Sequence, residues 1–315
     1  MTEQYTASTL LFGRYAKIKI GIPGKLGKRL ESISKDTAGE IVQGIRMSFK
    51  IEKTSEVTPN KAQIDLYNVN QDTINLLHTK GAVIILEVGY GILGGAKPVS
   101  KVIFMGDVFK CVTLKKGTDY VTTIENGDGL NALQTSNVNA SFAPGTPVKS
   151  VIEQVMGNFG GLGVGEVNLG DAASSQFVNG FTASGSARDT MDQLAGKTNT
   201  EWSVQDGQVQ MLPINSFTSL PPVLLQSVAE KEGGASINTG LIGSPTLSGF
   251  SHSKEKNLHG VEFKALLNPE LTPGRRVHII SKNKKVFGTF VVRKVTHNGD
   301  TRTGPWFSEC EGAAP

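Results

Sequence analysis

Gly89-Tyr90-Gly91-Ile92-Leu93-Gly94 has the glycine spacing of a dinucleotide-binding loop and follows an apolar run at 82–88 that reads as a strand. That chemistry needs a helix to begin at the last glycine, so that its first amides face a pyrophosphate. Pro98 and a second apolar run follow instead, and the stretch reads as a hairpin tip. Gly160, Gly161, Gly163 and Gly165 form a connector without the Lys and Ser/Thr of a phosphate-cradling loop. His78, His252, His259, His278 and His297 show no metal-ligand spacing, and turn or surface roles are expected for them. Ser251/Lys254 and Ser281/Lys284 have the SxxK spacing of serine acylases. They sit in polar loop sequence rather than at a helix start, and no SDN or KTG partner occurs. Cys111 and Cys310 lie about 200 positions apart in strand-like runs and read as two packed thiols, not as a disulfide framework or metal cluster.

Carboxylate pairs for glycoside hydrolysis meet only in the fold, so spacing does not decide them, but aromatics at 7% are few for a sugar-binding cleft. Basic clusters at 14–29 and 275–285 lack interleaved stacking aromatics and read as solvated faces or an interface to an acidic partner. The expectation is therefore no catalytic, cofactor-binding or metal-ligating residue, no cofactor, and no enzymatic activity.

The elements that carry these residues are mostly strands. The 315 residues suffice for two or three domains, and 37 Gly and 13 Pro imply many turns. No apolar run approaches the roughly 18 residues of a membrane span, and the N-terminus lacks the pattern of a signal peptide, so synthesis in a cytoplasm is expected. Charge divides the chain. Residues 1–149 hold 18 Lys/Arg against 13 Asp/Glu, residues 150–212 hold 2 against 7, and 213–315 hold 12 against 8. In the first block Ser48, Lys50, Glu52 and Lys53 alternate with Met47, Phe49 and Ile51. After Pro59-Asn60 the rhythm resumes with Ala62, Ile64, Leu66 and Tyr67, which predicts a hairpin. A short helix is expected at 72–78, capped by Asn70 or Asp72, with Ile74, Leu76 and Leu77 buried.

The middle block changes period. Val148, Val151, Ile152 and Val155 after Pro147 predict one helix, and Ser186 through Thr198, with Met191, Leu194 and Ala195 on its face, predicts another. Asp206-Gly207 then predicts a two-residue hairpin, as does Asn298-Gly299 in the third block. Expected units are thus 1–145, 146–215 and 216–315.

Blocks one and three share a pattern. KGAVIILEV leads to KVIFMGDVFKCVTLKKGTDYVTTIE, and PGRRVHIIS leads to KKVFGTFVVRKVTHNGDTRTGPWFSECE. Aligning Phe104 with Phe287 and Thr113 with Thr296 gives an offset of 183 residues. The fold expected is mainly β with an α/β insert: two related β-barrels flanking a small α/β module.

FKIEKTSEVTPNKAQIDLYNVNQDTINLL, GDVFKCVTLKKGTDYVTTIENGDGL, LIGSPTLSG, GVEFKALLNPELTPGRRVHI and VRKVTHNGDTRTGPWFSECEG together resemble the baseplate or tail hub proteins of tailed bacteriophages, allied to the late control protein D group. The likeness is strongest over 40–130 and 240–312. It implies tail-tube-like barrels and a homotrimer whose six barrels form a pseudo-hexameric ring. The implied partners are the tail tube protein, a spike or tip protein and other baseplate proteins, with tape measure protein and DNA passing through an axial channel. The implied location is the virion. Larger relatives carry further domains, some lytic, and none is expected in a chain that ends at Pro315. The alternatives are a tube or distal tail protein forming hexameric rings, and a tail-associated cell-wall hydrolase.

Overall fold

A computed structural model of the protein describes residues 13–23, 27–33, 43–91, 99–226, 239–250, 258–281, 286 and 288–314. The fold is mostly β, with a few helices. The first unit holds β1 (Arg14–Gly21), β2 (Lys28–Ile33), β3 (Gln43–Gly44), β4 (Met47–Thr54), β5 (Lys61–Tyr67), α1 (Gln71–Leu77), β6 (Val83–Tyr90), β7 (Val99–Lys116) and β8 (Asp119–Gly127). Met47, Phe49 and Ile51 of β4 and Ala62, Ile64 and Leu66 of β5 fill one core with Ile18, Ile84, Leu86 and Phe104. Two residues depart from the expected alternation. Lys53 stays in phase with Ile51 and is fully buried, and Tyr67 lies on the outer face, 4.4 Å beneath the Arg46 guanidinium. α1 is capped by Asn70, which accepts from the Thr73 amide at 3.0 Å and so satisfies an otherwise orphaned donor. It buries Thr73 and Leu77, while Ile74 and Leu76 are half-buried.

The middle layer contains α2 (Leu130–Thr135), β9 (Asn137–Phe142), β10 (Thr146–Pro147), α3 (Val148–Met156), β11 (Gly163–Val167), β12 (Gln176–Phe177), β13 (Phe181–Ser186), α4 (Ala187–Thr198), β14 (Thr200–Gln205) and β15 (Gln208–Pro213). Both expected helices form. Ser186 caps α4 and Asn199 closes it at φ 52°, the left-handed conformation favoured there. Asp206 and Gly207 both take positive φ, 54° and 79°, as the tight turn joining β14 to β15 requires. Gly163 and Gly165, expected in a connector, lie instead in β11, which runs parallel to β15. Ala132, Leu133 and Val138 pack with α3 and α4, so the segment 130–145, expected with the first unit, belongs by its core to this layer.

The third unit holds β16 (Val223–Gln226), β17 (Leu241–Phe250), β18 (Leu258–Leu266), β19 (Arg276–Ile280), β20 (Gly288–Asp300) and β21 (Trp306–Ala313) around its own core. Asn298-Gly299 is not a turn. Both residues continue β20, paired to β21 on one side and β4 on the other. Glycine is needed at 299 because a Cβ there would stand 2.2 Å from Cζ of Phe49, which itself packs edge-on against Trp306.

Among the described residues fourteen strands form one sheet in which the order β4-β5-β8-β7-β6-β1 is matched by β17-β18-β21-β20-β19-β16. The correspondence extends to irregularities. β7 bulges between Val108 and Lys110 against β8, and β20 bulges between Val292 and Lys294 against β21. Beyond each bulge a lysine pairs with a glutamate at 2.8 Å, Lys110 with Glu125 and Lys294 with Glu311. Lys294 follows Lys110 by 184 positions, so the strands align one residue away from the offset read in sequence. Phe287 lies outside the described residues. One difference stands out: β1 meets β6 antiparallel, whereas β16 meets β19 parallel.

Candidate functional site: a charged sheet face with two open edges

Strand alternation puts every second residue of β17, β18, β21, β20, β4, β5, β8 and β7 on one outward face. Lysine and glutamate meet across it repeatedly: Lys264–Glu309 at 3.2 Å, Lys294–Glu311 at 2.8 Å, Lys50–Glu52 at 2.6 Å and Lys110–Glu125 at 2.8 Å. Lys50, Glu52, Glu262, Lys264, Lys294 and Glu309 are among the residues lining a depression of about 740 Å³. The hydrogen bond from Lys50 holds the Glu52 carboxyl below its usual range, and that to Glu311 raises Lys294, so both stay charged near neutrality. Each such exposed pair adds at most about 1 kcal/mol of stability. Their larger effect is to keep the face wetted and close to neutral overall.

The face ends at two edges. β17 terminates the sheet, and residues 110–116 of β7 pair with β8 on one side only among the described residues. Apolar side chains lie exposed at both: Val112 and Leu114 on β7, Ile242 and Leu247 on β17, with Phe109 beside them at the bulge. An edge of this kind is a template for another strand.

A second, buried polar cluster fixes the middle layer against the first unit. Asn60, 2% exposed, accepts from the Thr54 amide at 3.0 Å and donates to the Val204 carbonyl at 2.8 Å and to Gln205 Oε1 at 2.9 Å. Asp128 accepts from the amides of Asp206 and Gly207 at 2.7 and 3.1 Å, and Lys53 pairs with Asp206 at 2.5 Å. Burial, reinforced by the Asp206 charge and opposed by Lys53 and the two amides, pushes Asp128 up to about 7. From β20 of the third unit the buried Arg293 guanidinium donates to Glu201. A perturbed carboxyl can mark a catalytic acid. This one is sealed among structural donors and spends them on holding a turn.

The residues weighed from sequence do not converge. Gly89 and Tyr90 end β6, and β7 returns antiparallel from Val99, as a hairpin does; residues 92–98 lie outside the described residues. His78 caps α1, His278 meets Thr289 Oγ1 at 3.0 Å, and His297 is buried with Nδ1 2.8 Å from Ser308 Oγ. Burial lowers His297 well below the usual histidine range and keeps it neutral. The side chain of His259 and all of His252, Ser251, Lys254 and Lys284 lie outside the described residues, which include Ser281 but neither SxxK lysine. Within the basic clusters Lys17 and Lys19 both meet Glu87, Lys28 pairs with Asp72, and Arg275 with Glu270. Cys111 is half-buried and Cys310 buried, both unpaired thiols. Among the described residues no three His, Cys, Asp or Glu are grouped to hold a metal ion, and no helix is long and apolar enough to cross a membrane.

The fold has relatives of known structure. A tail protein from Neisseria meningitidis superposes with a TM-score of 0.57 at 10% identity, over 95% of this chain and 96% of its own. The fold is that of phage tail proteins. A 43 kDa prophage tail protein from Shewanella oneidensis gives 0.57 at 8% identity over 94% and 96% of the two chains. An E. coli type VI secretion component, described as structurally similar to T4 bacteriophage tail proteins, gives 0.50 at 9% over 93% and 76%. No family model matches the sequence, and no curated protein matches it significantly.

Proposed function

We propose that this chain is a structural, non-enzymatic hub of a phage tail, built from two tail-tube-like units, about 1–129 and 216–315, flanking an α/β layer at 130–215. The observation that carries the reading is the six-strand order occurring twice, with the two copies already joined side by side through β4 and β20. Three such chains supply six equivalent units, so a threefold assembly matches a sixfold tube on one side and a threefold spike or tip on the other. The shared fold with tail proteins supports the same reading. On it, the charge-paired sheet face lines an axial channel. Its alternating signs offer a passing polyanion no run of cations to neutralise, which lets tape measure protein and DNA slip through unrecognised. The chain then resides in the virion, in contact with tube, spike and other baseplate proteins.

Cryo-electron microscopy of purified tails tests this directly. Three copies closing one ring between tube and tip are expected. Six copies per ring would favour a tube or distal tail protein, and clearing of cell walls on zymography would overturn the non-enzymatic assignment.

A further inference from the structure

The repeat assigns a partner to each open edge. Within the chain, residues 294–300 of β20 pair antiparallel with β4, placing His297 opposite Ile51 and Val295 opposite Lys53. Through the shared bulge and ion pair, positions 110–116 of β7 are the counterparts of 294–300. That segment has no strand on the corresponding side among the described residues. The counterpart of β4 follows in the same way. β5 and β18 occupy equivalent places against β8 and β21, with Ala62 and Val261 in matching register. Ile51 lies opposite Ala62 and Leu247 opposite Val261, so Leu247 of β17 stands where Ile51 stands in β4. Ile51 is 0% exposed beneath β20, whereas Leu247 is 49% exposed at the sheet's end.

Resting on the hub reading above, we infer that residues 110–116 of β7 pair antiparallel with β17 of a second copy of this chain, Thr113 opposite Leu247, repeating between chains the junction that β20 and β4 make within one. The contact is heterologous: each chain offers a β7 edge to one neighbour and a β17 edge to the other, and such contacts generate rings when the rotation closes. Only the β7 edge is compatible with β17 on this argument, since the β20 edge is already occupied. The two junctions are not identical. Where Phe49 alone separates Ser48 from Lys50 in β4, β17 carries Gly243, Ser244 and Pro245 between Ile242 and Thr246, outside the regular pairing with β18. The new junction is therefore regular over residues 246–250 and interrupted beyond them.

The test is a cysteine pair, Thr113→Cys with Leu247→Cys, in a Cys111→Ser background, oxidised across a concentration series of the full chain and in assembled tails. A disulfide-linked ladder that ends at three chains is expected, with no linkage in either single variant. Leu247→Glu should abolish trimers yet leave the thermal unfolding of the monomer in place, which a merely structural role for Leu247 would not allow. Trimers or tail rings that form without the cross-link overturn this edge pairing and leave the hub reading standing. Absence of the chain from tails, together with failure to cross-link at every concentration, overturns both.

Discussion

Replacing Asn60 by alanine probes the seam between the first unit and the α/β layer. The side chain makes three short hydrogen bonds, from the Thr54 amide and to Val204 O and Gln205 Oε1, and it is nearly inaccessible to water. A buried group deprived of its partner costs about 1–3 kcal/mol. The Gln205 side chain is also anchored through Nε2 to the Thr54 carbonyl at 2.8 Å and is able to readjust, so two groups are left fully orphaned and the expected loss is about 2–6 kcal/mol. That is a large share of the roughly 5–15 kcal/mol that holds a typical domain folded. Urea unfolding of the purified chain followed by tryptophan fluorescence reads it out, because Trp202 reports on the α/β layer and Trp306, reaching in from β21, on the core of the first unit. The Trp202 transition should move to lower urea by more than the Trp306 transition. A loss below about 1 kcal/mol, or equal shifts of both, would refute the idea that Asn60 ties the layer to the sheet.

Asp128 makes stability depend on pH in an unusual direction for a carboxylate. Its folded-state value of about 7 lies above the 3.8 of an ordinary aspartate, so between those values the folded chain keeps a proton that the unfolded chain sheds. The contribution is complete below the unfolded value and disappears as pH rises through 7. Urea midpoints should therefore fall between pH 5 and pH 8, and Asp128→Asn should flatten that decline. Gly299→Val should destabilise by about 1–3 kcal/mol, measured by thermal unfolding, because its side chain must displace the Phe49 ring. Asn199→Gly should be neutral or stabilising by a few tenths of a kcal/mol in the same assay, since the residue holds a left-handed helix stop. Leu194→Ala should cost about 2–5 kcal/mol through a cavity between α3, α4 and β14.

What could be read from sequence was whatever local chemistry determines. The α4 cap, the Asp206-Gly207 turn and the alternation of β5 up to Leu66 all depend on neighbours within a few residues. Local composition misleads where a distant residue decides. Asn298-Gly299 has the composition of a tight turn, but the glycine is there to make room for a phenylalanine 250 positions earlier. Lys53 looked solvated because it is charged; its phase with Phe49 and Ile51 was the available sign that it points inward, and only Asp206 explains how it is tolerated there. The repeat is visible as a pattern, but the sequence match sets its register one residue away from the strand alignment. A slip of one reverses every side chain's face, so the equivalences of Thr113 with His297 and of Leu247 with Ile51 required coordinates. The buried cluster around Asp128 gave no local signature, since its members are scattered between 53 and 207.

The α/β layer grips both halves of the duplicated sheet, Asp206 through Lys53 on one side and Glu201 through Arg293 on the other, while β20 itself runs across the boundary. Twisting one half against the other would have to strip a buried lysine and a buried arginine of their counter-ions in the same motion. The two halves are therefore braced against hinge motion, and on the hub reading proposed above the angle between them is set during folding, before a second molecule arrives.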